Sequence, residues 1–133
     1  MTGKEHIRIL MGKPGLDGHD RGVKVLTLAL RNEGFEVIYT GLRQSPEAIV
    51  RSAIEEDVEI IGISCLTGNH NYLCSQVLKQ LREKGVRDIL FILGGIIPED
   101  DIPYLKKIGV DAIFGPGSHV ADIVKFIREN ARN

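Results

Sequence analysis

The chain has 133 residues, 43% apolar and 26% charged, the size and make-up of one ordinary domain with a core of its own. A formal net charge of -1 offers no basic field to nucleic acid or an anionic membrane, and the lack of Trp, with 5% aromatics, argues against a base-stacking platform. Cys65 and Cys74 match no zinc spacing and make no disulfide framework, and there is no signal peptide or long apolar span, so free thiols in the cytoplasm are expected.

Ile7 to Met11 reads as a first strand, and Val23 to Arg31 as a helix with Val23, Leu26 and Leu30 in its apolar stripe, ended at Gly34. Phe35 to Tyr39 is a second strand. Ser45-Pro46-Glu47 opens the next helix with a capping hydroxyl, a proline in the first turn and an acid at the positive end. Val58 to Ile63 is a third strand, its nearly continuous β-branched run that of a strand buried on both faces. A helix carrying Leu73, Val77, Leu78 and Leu81 stops at Gly85, and Ile89 to Leu93 is a fourth strand ending in Gly94-Gly95. Pro98-Glu99-Asp100-Asp101 starts a short helix ended by Gly109. Ala112 to Phe114 is a fifth strand, and a last helix runs through Ile123, Val124 and Ile127.

Strict β-α alternation with short connections predicts an α/β domain. The expected fold is a flavodoxin-like, doubly wound, five-stranded parallel sheet of order 2-1-3-4-5 with helices on both faces. One domain over residues 1–133 is expected, with an ordered core of about 6–128. In this order the switch point lies between strands one and three, where the Asp17/His19 loop and the Ser64/His70 loop would flank one crevice. The first of these loops, Lys13 to Gly22, combines three glycines with Lys, two Asp, His and Arg. Asp17 and His19, two residues apart, allow a carboxylate to hold one imidazole nitrogen while the other faces a metal. Gly12, Gly15, Gly18, Gly41, Gly68, Gly94, Gly95, Gly115 and Gly117 follow strands. That glycine-rich rim suggests a large ligand pressed against backbone, with ordinary turn chemistry as the alternative.

Other occupants of this architecture fit poorly. Ser64 and Gly115 stand where a phosphorylation receiver needs Asp and Lys, the first loop is charged rather than a phosphate cradle, and no G-x-G-x-x-G is present. His19, His70 and His119 fall on one rim, but from three loops, without the spacing of a structural zinc site. His70 and His119 are expected to be hydrogen-bonding rim residues, and His6 a solvated one at the opposite end.

Asp17-x-His19-x-x-Gly22, then Ser64-x-Leu66, then Gly94-Gly95 resembles the cobalamin-binding signature of the adenosylcobalamin-dependent mutases, in order and spacing, from Ile7 to about Ile127. Asp17-Gly18-His19-Asp20-Arg21-Gly22, Gln44-Ser45-Pro46-Glu47 and Gly94 to Glu99 look like the acyl-CoA branch, chiefly methylmalonyl-CoA mutase. The resemblance implies a cobalamin bound base-off, with His19 as lower axial ligand of cobalt, Asp17 on its other ring N–H, and Lys13 paired with Asp17. It implies further that the displaced nucleotide tail lies between sheet and helices. Ser64 would bond the dimethylbenzimidazole, Leu66 would pack beside it, Gly94 and Gly95 would form its bed, and Gly115, Gly117 and Ser118 would close the far side. Gly15, Gly18, Asp20, Arg21, Gly22 and Thr67 complete the implied cofactor contacts.

The family's barrel, which holds the acyl-CoA, has no counterpart here. The resemblance therefore implies a small subunit of a carbon-skeleton mutase (an isomerase) with no catalytic residue of its own. A large acyl-CoA-binding subunit would be its partner, with neither nucleic acid nor membrane involved. The alternative is a cobalamin carrier or the corrinoid protein of a methyltransferase system. Those proteins usually carry an N-terminal helical bundle, whereas about six residues precede the first strand.

Overall fold

A computed structural model describes residues 7–12, 21–40, 45–65, 70–115 and 118–131, with backbone alone for 21–24. Five strands alternate with five helices: β1 Arg8–Gly12, α1 Arg21–Asn32, β2 Glu36–Tyr39, α2 Pro46–Glu55, β3 Ile60–Ser64, α3 His70–Glu83, β4 Leu90–Gly94, α4 Ile102–Ile108, β5 Ala112–Phe114 and α5 Val120–Asn130. A 3-10 turn, Glu99–Asp101, leads into α4. The strands form one parallel sheet in the order β2-β1-β3-β4-β5, as the alternation predicts. The register sets Ile9 beside Ile60, Ser64 beside Gly94, and Gly94 beside Phe114.

The helix ends follow local chemistry. Ser45 Oγ accepts from Ala48 N at 3.1 Å, with Pro46 and Glu47 in the first turn of α2. Gly34, Gly85 and Gly109 take φ of 98°, 79° and 124°, the left-handed exits expected of helix-ending glycines. The third strand starts later than its apolar run. Val58 is spent closing α2, its N–H bonded to Ala53 O, after Asp57 turns the chain at φ 54°.

Side chains alternate between the two faces of the sheet. Leu10, Ile61, Ile63, Phe91 and Leu93 pack under α2, α3 and α4 with Val50, Val77 and Leu105. Ile9, Met11, Ile60 and Ile92 face α1 and α5, against Leu30, Ile123 and Ile127. At the foot of the second layer Arg128 ties α5 to the exit of α1. It donates to Glu33 O at 3.1 Å and lies over the Phe35 ring at 5.1 Å. No described helix is long and apolar enough to cross a membrane.

Candidate functional site: a glycine-floored slot beneath α1 and α5

The α1/α5 face is incompletely filled. A cavity of about 650 Å³ runs between it and the sheet, opening at the C-terminal ends of the strands. Its foot is aliphatic: Ile9, Ile60 and Ile92 from the strands, Leu30, Ile123 and Ile127 from the helices. Its mouth is formed by Ser64, Gly94, Gly95, Ile96, Gly115 and Ser118. Period-two alternation produces this gradient along β3, where Ile60, Gly62 and Ser64 share the face. The slot runs across β1, β3, β4 and β5 beneath α1 and α5. The Asp17/His19 loop and residues 66–69 of the Ser64/His70 loop, expected to flank the switch point between strands one and three, lie outside the described residues.

The glycines divide by physical reason. A Cβ on Gly94 would meet nothing closer than Phe114 O at 3.8 Å, so the volume of its missing side chain belongs to the slot. Gly95 is glycine for its neighbours instead: φ is 143° and a Cβ would stand 2.1 Å from Cys65 O. Gly62 lies mid-strand with Met11 across it, a Cβ there falling 2.8 Å from Met11 Sδ. Gly12 is explained by packing alone, its Cβ position 3.2 Å from an Ile49 methyl on the opposite face. Gly115 would meet nothing within 4 Å.

Of the expected contacts, Ser64, Gly94, Gly95, Gly115 and Ser118 all line the slot. Ser64 is half-buried at the end of β3, and Ser118 is exposed, its N–H bonded to Gly115 O at 3.1 Å. Arg21 and Gly22 open the backbone of α1. Lys13, Gly15, Asp17, Gly18, His19, Asp20, Leu66, Thr67 and Gly117 lie outside the described residues. Gly62 and Met11 were not singled out from sequence, although a glycine inside a β-branched run signals close approach to the backbone.

His70 corrects an expectation. It is the first residue of α3 on the opposite layer, 3% exposed, and does not flank the slot. Its Nε2 meets Asp101 Oδ2 at 2.8 Å, tying α3 to the turn before α4. It does hydrogen-bond, but as a buried tie and not at a rim. The bonds from His70 and Asn71 hold the Asp101 carboxyl below its usual range. His119 is exposed and opens α5 through its backbone, its carbonyl accepting from Asp122 N at 3.0 Å.

Among the described residues the slot is lined by no titratable side chain, and no three His, Cys, Asp or Glu could share a metal ion. These walls can hold and orient an apolar group; they offer no acid or base. Cys65 and Cys74 are buried on the other face, and burial pushes the Cys74 thiol up to about 12.

Residues 7–125 match the model of the B12 binding domain. The chain is 43% identical over 122 residues to the 2-hydroxyisobutanoyl-CoA mutase small subunit of Aquincola tertiaricarbonis, covering 92% of this chain and 90% of that protein. It is 43% identical over 125 residues to the methylmalonyl-CoA mutase of Cereibacter sphaeroides, but spans only 18% of that longer chain. Among solved structures, a cobalamin-binding protein from Desulfitobacterium hafniense superposes with a TM-score of 0.82 at 23% identity, over 96% of this chain and 60% of that one. The monomethylamine corrinoid protein of Methanosarcina barkeri gives 0.78 at 22%, over 94% and 57%. At these identities the structural likeness speaks for the fold alone.

Proposed function

The chain belongs to the B12-binding domain family, and from that premise we propose that it is the cobalamin-binding small subunit of a heteromeric, adenosylcobalamin-dependent acyl-CoA mutase. The observation that carries the cofactor assignment is the slot: an apolar space of about 650 Å³ with Gly94 in its bed, where a side chain would otherwise project. It fits a flat, apolar heterocycle on a tail. It also fits a cofactor whose lower base has been displaced, because only such a base must be housed away from the metal.

In this reading the nucleotide tail enters between Ser64 and Ser118, and its base descends over Gly94 toward Gly62. Leu66, Thr67 and Gly117 would add contacts to the tail. His19 would supply a nitrogen to the cobalt, Asp17 would accept its other ring N–H and fix the tautomer, and Lys13 would pair with Asp17. When bound, the cobalamin supplies the radical chemistry of the rearrangement. This chain contributes ligation, orientation and exclusion of water.

The acyl-CoA is bound by a large partner subunit, which sets the acyl group. The near-complete two-way coverage of a protein named as a small subunit supports that division of labour. One domain acting in the cytoplasm agrees with the two buried cysteines.

The test is spectroscopic. The reconstituted protein, reduced to Co(II), is expected to show coupling to an imidazole nitrogen by electron paramagnetic resonance, lost in His19→Ala and altered in Asp17→Ala. Coupling to a dimethylbenzimidazole nitrogen instead overturns the assignment. Isomerase activity appearing only with the large subunit, over a panel of acyl-CoAs, tests the partnership.

A further inference from the structure

Resting on the reading above, we infer that His70, on the far layer of the sheet, is a positioning residue for the cofactor: its bond to Asp101 holds in place the segment that carries Gly95 and Ile96 at the mouth of the slot. The reason is how that segment is hung. It leaves β4 at Gly94, which pairs with Ser64, and Cys65 N–H donates to Gly94 O at 3.0 Å. Gly95 N–H donates to Phe114 O at 3.2 Å, and the carbonyl of Cys65 occupies the place of a Gly95 side chain. Those contacts fix the near end. Beyond it Ile96 is 69% exposed and Ile97 rests half-buried on the far layer. Among the described residues the backbone of neither one makes a hydrogen bond. The segment is caught again at the end of the 3-10 turn, where Asp101 meets His70.

Two observations set this bond apart from ordinary packing. Asp101 stands at the N-cap of α4, where a carboxylate usually accepts from its own helix, yet it makes no such bond and is turned to α3. His70 is 3% exposed, and among the described residues its Nδ1 is buried without a partner. A buried nitrogen left unpaired costs stability that an apolar ring of the same shape would not. Filling the core therefore does not account for the imidazole. What it supplies is a directed bond of 2.8 Å between residues 31 apart in sequence. One of them opens the helix that follows the Ser64 strand, and the other ends the segment that follows Gly94. The two connections beside the tail are thus joined at both ends, through Cys65 at the strands and through His70 at the helices. Without the outer bond the tail must order the segment when it binds. Fixing about one residue's worth of backbone freedom weakens affinity by roughly 5- to 30-fold.

The experiment titrates the full 133-residue chain and its variants with cobalamin and with cobinamide, which lacks the nucleotide tail and its base. Absorbance gives both affinities, at a temperature where circular dichroism shows each variant folded. His70→Phe keeps the ring and removes the donor, and is expected to lose roughly 5- to 30-fold for cobalamin while cobinamide stays within about twofold. Gln places an amide nitrogen near the position of imidazole Nε2, so His70→Gln is expected to return cobalamin affinity to within about threefold of wild type. If His70→Phe does not fold, Asp101→Ala, on the partly exposed partner, carries the same expectation; neither one folding makes the bond part of the fold itself and overturns the inference. A lower thermal midpoint with both affinities unchanged, or an equal loss for both corrinoids, overturns it too, as does His70→Gln binding no better than His70→Phe. Cobinamide binding the wild type as tightly as cobalamin instead overturns the occupied slot, and with it the reading on which this inference rests.

Discussion

Replacing Gly94 with valine separates the cofactor from the fold. Gly94 has no positive φ, and a Cβ there would approach nothing within 3.8 Å, so the backbone accepts a side chain without strain. Replacing a glycine at the end of a strand lowers the entropy lost on folding, a gain of at most about 0.5–1 kcal/mol. The new methyls project into the slot, onto the bed of the lower base. An aromatic group of this size buries about 150 Å² or more. At ~25 cal/mol per Å², excluding it forfeits about 4 kcal/mol, close to 10³-fold in Kd. Gly94→Val should therefore keep or slightly raise the thermal midpoint of the free protein, lose most of its affinity for cobalamin, and bind cobinamide as the wild type does. At cobalamin concentrations 100 times the wild-type Kd, the wild type gains about 2.7 kcal/mol of apparent stability and the variant almost none. Gly95→Ala is the control. With φ at 143° and a Cβ position 2.1 Å from Cys65 O, it should destabilise the free protein by ~2 kcal/mol or more. Wild-type affinity of Gly94→Val for cobalamin, or an equal loss for cobinamide, would refute the placement of the base.

Two further predictions concern the opposite layer. The folded state holds Asp101 deprotonated below the usual carboxylate value of 3.8, through its bonds to His70 and Asn71. As pH falls through that window the unfolded chain takes up the proton first. The contribution is thus fully present above pH 4 and lost on acidification, and Asp101→Asn should flatten this part of an acid-denaturation profile; an unchanged profile would exclude the tie. Cys74 has the reverse sign. Its thiol is pushed up to about 12, so stability should decline as pH rises above about 9, and neither Cys65 nor Cys74 should react with a thiol reagent at neutral pH until the protein unfolds. Rapid labelling of the native protein would show that the core opens.

Much of this protein is written locally. The order of strands and helices, the Ser45 cap, and the glycines at 34, 85 and 109 follow from periodicity and backbone freedom within a few residues, and parallel strands joined by right-handed crossovers then leave few topologies. Asp17-x-His19-x-x-Gly22 taken together with Ser64-x-Leu66 and Gly94-Gly95 resembles a cobalamin-binding signature in the sequence alone. What adjoining residues do across the sheet is another matter. Gly94 and Gly95 are alike in sequence, yet one leaves room for a ligand and the other makes room for the carbonyl of Cys65. His70 follows Ser64 by six residues, yet the helix it begins lies on the far face and turns it to Asp101. Met11 and Gly62 are fifty-one residues apart, and only the register of β1 against β3 sets one over the other. Local conformational preference reaches a few residues along the chain. Which side chain faces which is decided by pairing register and helix rotation, and those exist only once the distant segments have packed.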